Sequence, residues 1–240
     1  MFRSVPLLTR ETLWQARIYL RDRAAVFFTF AFPVLVLLFW SRQEGLNVLT
    51  AAALVAALAL AMAGYAGLAM GIAAGRENGL LKRLRSTPLP MLTHLTAWVL
   101  AAGVIGALAV GLTLVVGSAA LGLSISMNGA LALLPGLLAG FFALGGWGLV
   151  VGSLVRTAVA ASYLVNATLL PLFLLSAAAQ RGGLPDWVSA ITPWLPLQSL
   201  AVLIRQALGG EGLPLMPLLA LLAWGGLGLA LAGWRLSRPL

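Results

Sequence analysis

The chain contains no cysteine among its 240 residues and a single histidine, His94. The first absence excludes disulfides, thiol catalysis and thiolate metal sites, and the second excludes a multi-histidine metal centre. Charge is scarce too: 9% of residues are charged and 61% are hydrophobic, whereas a soluble domain carries roughly 25% charged residues. A water-soluble fold cannot cover its surface so thinly, and lipid is the solvent that removes the need for a polar exterior. The phosphate-loop pattern Gly-x-x-x-x-Gly-Lys-Ser/Thr is absent, and so is Gly-x-Ser-x-Gly. The chain therefore has no such loop with which to bind ATP by itself. None of its six acidic residues falls in the middle of a long apolar run. Proton-coupled transport usually relies on such an intramembrane acid, so its absence favours an external energy supply. The same shortage of chemical groups disfavours an intramembrane hydrolase.

What remains is a series of apolar runs separated by basic segments. A membrane-spanning helix needs about 20 apolar residues. Six such spans are expected: Ala24 to Ser41, Gly45 to Gly75, Leu92 to Leu121, Ala130 to Leu154, Ala158 to Ala178, and Leu213 to Trp234. The third and fourth are divided at Gly122-Leu-Ser-Ile-Ser-Met-Asn-Gly129, a turn-forming stretch inside an uncharged run too long for one span. Pro33 and Pro135 are expected to kink spans one and four. No cleavable leader is evident, so the first span is expected to stay in the mature protein. The uncharged stretch from Trp187 to Ile204 holds Pro193 and Pro196 at its centre. Two close prolines leave backbone groups unpaired in lipid, so this stretch reads as two short helices that dip into the membrane and return.

The net charge of +9 follows from membrane topology rather than nucleic-acid binding. With six spans, twelve of the fifteen Lys and Arg residues fall on the side of the termini and three, Arg42, Arg181 and Arg205, on the other. The positive-inside bias makes both termini cytoplasmic. Arginine outnumbers lysine 14 to 1, a composition that points to a GC-rich bacterial genome and hence to a bacterial or archaeal cell membrane.

Two segments stand out. In the first, residues 1–23, Arg10, Arg17 and Arg21 fall within about 40° of one another at helical periodicity. Leu7, Trp14 and Ile18 form the adjoining apolar stripe, the pattern of a helix lying at the membrane surface. Such a helix is either a passive anchor or a lever joining a cytoplasmic partner to span one. The second is the loop at residues 76–90. There Leu80, Leu81 and Leu84 share one face of a short helix, with Glu77 one turn earlier on that face and Lys82, Arg83 and Arg85 elsewhere. A loop that only reverses direction needs no leucine face, so those leucines cover either headgroups or a partner protein.

The stretch Glu77-Asn-Gly-Leu-Leu-Lys-Arg-Leu-Arg-Ser-Thr-Pro-Leu-Pro90 resembles the loop between spans two and three of type-2 ATP-binding-cassette permeases. A softer match is Leu184-Pro-Asp-Trp187 with Pro193 to Leu197 and Leu203-Ile-Arg-Gln-Ala-Leu208, similar to that family's region between spans five and six. The resemblance spans essentially the whole chain. It implies an all-α permease domain over residues 1–240, with no catalytic residue, metal or cofactor of its own. ATP and magnesium would be bound by a separate ATPase subunit, and a second permease copy or paralogue would complete the transporter. Glu77, Leu80, Leu81, Lys82, Arg83 and Leu84 would form the coupling helix that docks on the ATPase. Residues 179–212, with Pro185, Trp187, Pro193, Pro196 and Arg205, would form an extracellular re-entrant gate. Two departures bear on that gate: Leu195 stands where the family has Asn before Pro-Leu, and Ser176-Ala-Ala-Ala-Gln replaces Ser-Gly-x-x-x-Pro. The cargo implied is hydrophobic or amphipathic and moves outward. A membrane scaffold and an ion-driven carrier are the alternatives.

Isolated polar residues carry less. Asn166 and Thr168 in span five either line a substrate path or hydrogen-bond a neighbouring helix. Gly64, Gly67, Gly71 and Gly75 mark close helix packing or a dimer seam along span two. His94, just past the basic loop, reads as interfacial rather than as a proton relay.

Overall fold

A computed structural model describes residues 4–42, 47–79, 91–182 and 184–236. These residues form an all-helical bundle in which no strand occurs. Six helices are long and apolar enough to cross a membrane: Arg23–Trp40, Val48–Glu77, Thr93–Leu121, Met127–Leu154, Ala158–Arg181 and Leu215–Arg235. They are called spans one to six and agree with the six expected from the apolar runs. A separate N-terminal helix, Ser4–Arg21, precedes span one.

Short polar side chains set the helix starts, as the four orphan N–H groups of a first turn require. Asp22 accepts from Ala24 and Ala25 N–H, Asn47 from Leu49 N–H, Ser126 from Gly129 N–H and Thr157 from Ala160 N–H. Pro135 and Pro171 lie inside unbroken helices. Spans one and two each contain one π-helical segment, Phe27–Ala31 and Met62–Gly67, and the first ends two residues before Pro33.

Span two is the axis of the bundle. Every residue from Ala51 to Ala61 is buried, and eight of the residues from Ala51 to Ala63 are alanines. Lipid gives helices no hydrophobic reason to associate, so small side chains that let backbones approach are the main source of packing. Span four supplies the matching surface. A Cβ on Gly148 would stand 2.7 Å from the carbonyl oxygens of Gly64 and Tyr65, and one on Gly152 2.9 Å from that of Ala69. Span two's own glycines divide between two uses. Gly64 faces Phe141, Gly67 faces Tyr19 and Gly75 faces Trp98, all within the chain, whereas Gly71 faces open space. The close-packing reading therefore describes three of the four, and those three form no outward seam.

The segment between spans five and six is a helix pair, Asp186–Trp194 and Pro196–Gly209, bent by 74°. Its contacts fix how deep it reaches. Leu200 packs on Gly140, midway along span four, and the Trp194 carbonyl accepts a 2.7 Å hydrogen bond from Trp224 Nε1, midway along span six. The C-terminal end of the pair returns to the start of span four, where Gly129 meets the Ala207 carbonyl. Pro196 sits in the first turn of the second arm, where its missing N–H is no loss. Ser199 Oγ donates to the Pro193 carbonyl at 2.8 Å and closes the bend. The first arm is exposed along most of its length, but the second is buried against spans two and four and belongs to the core.

Candidate functional site

The end of the bundle that carries the N-terminal helix concentrates the polar chemistry. Span two ends at Glu77; Asn78 leaves the helix, and Gly79 has a φ of +66°, a conformation that favours glycine. Glu77 is therefore the last residue of span two, and the face expected of it with Leu80, Leu81 and Leu84 falls on residues outside those described. Leu80, Leu81, Lys82, Arg83 and Leu84 lie outside the described residues.

Arg76 and Glu77 are each committed to a different neighbour. Arg76 Nη1 donates to the carbonyl oxygens of Ser153, at 2.5 Å, and Val155, at 3.4 Å. These are carbonyls at the C-terminal end of span four, left without helical partners and carrying the negative end of the helix dipole. Glu77 Oε2 accepts from Ala158 N–H at 3.0 Å, the first donor of span five and the positive end of its dipole. Two adjacent residues of opposite charge thus clamp the last turn of one span and the first turn of the next. Each hydrogen bond to a charged group is worth about 1.5–3 kcal/mol before solvent exposure reduces it.

The N-terminal helix docks through a ladder at four-residue spacing. Glu11 Oε1 lies 2.7 Å from His94 Nδ1 and accepts from Gln15 Nε2 at 3.0 Å. Gln15 Oε1 in turn accepts from Trp98 Nε1. Tyr19 and Thr29 hydroxyls are 2.6 Å apart, fastening the helix to span one. Burial pushes the Tyr19 phenol above its ordinary value, against a smaller opposing effect from the Thr29 hydrogen bond. His94, in the first turn of span three, is only 5% exposed and is buried against the N-terminal helix.

Arg10, Trp14, Arg17, Ile18 and Arg21 all lie on the exposed side of this helix, together with Leu7. The face bonded to span three is thus polar, whereas the exposed side mixes apolar and cationic groups, of which Trp14 and Ile18 also border the space against spans two and three. Between the helix and spans two and three lies a cavity of about 610 Å³ whose walls include Glu11, Asp22, Trp98 and His94.

The remaining expected residues lie elsewhere. Pro185 and Trp187 are exposed on the first arm of the bent pair; Pro193 is exposed at its bend, and Pro196 is buried. Arg205 is half-buried and pairs with Glu211 at 3.6 Å. Thr168 Oγ1 is 2.6 Å from the Tyr65 hydroxyl, which joins span five to span two. Asn166 lies on the exposed face of span five. The Glu11–Gln15–Tyr19 ladder and the Arg76–Glu77 clamp went unnoticed in the sequence. The first had a signal, polar residues four apart facing His94 and Trp98, also four apart; the second had none, because its acceptors are main-chain atoms. Among the described residues no cluster of histidine and acidic side chains is arranged to hold a metal ion.

Residues 41–235, most of the chain, match the family model described as ABC-2 family transporter protein. No curated protein and no solved structure gives a significant match.

Proposed function

Because the chain belongs to the ABC-2 transporter family, whose members are membrane subunits of ATP-binding-cassette transporters, we propose that it is the permease of an exporter driven by a separate ATPase chain. Both termini and residues 76–90 face the cytoplasm of a bacterial or archaeal cell, where the partner binds ATP and magnesium. A second permease copy or paralogue covers the exposed face of span five, and Asn166 there borders the path of a hydrophobic or amphipathic cargo.

The observation that carries this reading is the clamp at the root of the loop. A lever must be stiff where it joins the load. Arg76 and Glu77 tie the end of span two to the last carbonyls of span four and the first donor of span five. A displacement of residues 80–84 by a closing ATPase dimer therefore reaches three spans at once. Leu80, Leu81 and Leu84 supply the apolar docking face, with Lys82 and Arg83 beside it, and the re-entrant pair closes the opposite end.

The test is coupled transport in proteoliposomes holding the permease and its ATPase. Leu81→Asp places a charge in the apolar contact and Glu77→Ala removes the span-five anchor. The double variant is expected to assemble its helices and to lose cargo-stimulated ATP hydrolysis and export together. Export at the wild-type rate by a stably folded double variant contradicts the assignment.

A further inference from the structure

Three arginines far apart in sequence meet where spans two, four and six end. Arg76 lies in the last turn of span two, Arg156 in the link from span four to span five, and Arg235 in the last turn of span six. Two contacts bring them together. Arg76 Nη1 donates to the carbonyl of Val155, the neighbour of Arg156. Spans four and six pack backbone to backbone, since a Cβ on Gly228 would stand 2.9 Å from the Gly146 carbonyl carbon, about two turns before each helix ends. The charges of Arg156 and Arg235 accordingly both act on Arg76.

Like charges brought this close repel one another, and nothing in the chain cancels them. Glu77 is the acid of these helix ends, but its Oε2 accepts from Ala158 N–H and it forms no ion pair with any of the three. Arg76 has one of its three guanidinium nitrogens on the span-four carbonyls. Arg156 and Arg235 are exposed and have no ion-pair partner among the described residues. Their flanking residues are exposed and apolar: Leu154 and Val159 beside Arg156, and Trp234 beside Arg235. Arginine next to exposed aliphatic and tryptophan side chains marks the boundary between headgroups and acyl chains, a depth that a lipid reaches and a soluble protein does not.

We propose that Arg76, Arg156 and Arg235 together bind the phosphate of an anionic phospholipid, whose acyl chains lie on Leu154, Val159 and Trp234. The planar guanidinium matches phosphate with paired N–H donors, and basic pockets between spanning helices suit anionic headgroups. The phosphate offsets the repulsion at the root of the Arg76 clamp, so the lipid also fastens span two to spans four and six. This inference concerns lipid recognition and holds whether or not the chain transports a cargo.

Thermal unfolding of the full chain in dodecylmaltoside tests it, with titration by dioctanoyl phosphatidylglycerol, dioctanoyl phosphatidylcholine or inorganic phosphate. A saturable rise in melting temperature is expected with phosphatidylglycerol, and neither the zwitterionic lipid nor phosphate at the same concentration reproduces it. Arg156→Gln with Arg235→Gln is expected to raise the half-saturating concentration about tenfold or more. Without lipid the same variant is expected to melt at or above wild type, because a repulsion has been removed. Arg235→Gln alone is expected to show a smaller loss of the same kind. Arg10→Gln with Arg17→Gln removes equal charge from the exposed side of the N-terminal helix and is expected to keep the lipid response. Absence of the rise, or an equal rise with phosphatidylcholine, overturns the proposal. Equal loss in the Arg10 and Arg17 pair shows diffuse attraction and overturns it too. A full response to inorganic phosphate marks a free-anion site and overturns the lipid assignment. Retained lipid response in the Arg156 and Arg235 pair, with loss of a co-purifying ATPase, gives these arginines to a protein partner and overturns it as well.

Discussion

Gly148→Ala adds one methyl group, and the structure says where it lands. The new Cβ stands 2.7 Å from the carbonyl oxygens of both Gly64 and Tyr65 and 3.2 Å from Leu68 Cβ. The two oxygens belong to the backbone of the most buried helix in the bundle, so no side chain can rotate out of the way. Carbon and oxygen settle at about 3.5 Å or slightly less, and relief requires spans two and four to separate by a sizeable fraction of an ångström. Overpacking of this kind costs about 1–3 kcal/mol, and loss of the close helix approach adds to it. Gly226→Ala is the control, because nothing lies within 4 Å of its Cβ position and open sites change stability by about 0.5 kcal/mol or less. Thermal unfolding in mild detergent, followed by size-exclusion chromatography, is expected to place Gly148→Ala several degrees below wild type and Gly226→Ala level with it. The same variant is expected to loosen the Arg76 clamp, since span four carries the Ser153 acceptor. Equal melting of Gly148→Ala and wild type refutes the reasoning.

Two further outcomes follow from the polar contacts. The Tyr19 phenol, raised by burial above 10.0, holds the N-terminal helix in its neutral form. Its contribution is complete below pH 10 and is lost as pH rises through the higher folded value. Melting curves from neutral pH upward are expected to drop more steeply above pH 10 in wild type than in Tyr19→Phe, which in turn starts lower by about 1–3 kcal/mol because the buried Thr29 hydroxyl loses its partner; parallel curves contradict this. Trp224→Phe removes the bond to the Trp194 carbonyl and about 1 kcal/mol with it. In this cysteine-free chain a single cysteine at Leu195 then reports the bend directly, and its labelling is expected to accelerate when Trp224 is replaced. Unchanged labelling argues against that bond as the anchor of the apex.

The fold was legible where the sequence had long apolar runs. All six spans appear within a few residues of their expected limits, because lipid forces hydropathy and helix length to agree. The bend at Pro193 and Pro196 was legible because two close prolines remove donors that a continuous helix needs. The arrangement inside the bundle was not. Alanine-rich span two has no apolar stripe, being apolar on every side, so periodicity gave no sign of which helix occupies the centre. The second arm of the bent pair looked like part of an external cap, yet its leucines Leu197, Leu200 and Leu203 are core. At the N-terminal helix the exposed arginine and tryptophan face was readable, whereas its docking face was not, because Glu11 and Gln15 find their partners eighty residues away.

The proposed docking of residues 80–84 on an ATPase is the central claim, and it can be tested directly. Purification of the tagged chain from its native membrane in gentle detergent, with mass spectrometry of what accompanies it, measures this directly. A stoichiometric ATP-binding-cassette ATPase with the wild-type chain, absent with Leu81→Asp, is the predicted result. Recovery of the permease alone, under conditions that keep a known exporter complex intact, contradicts it.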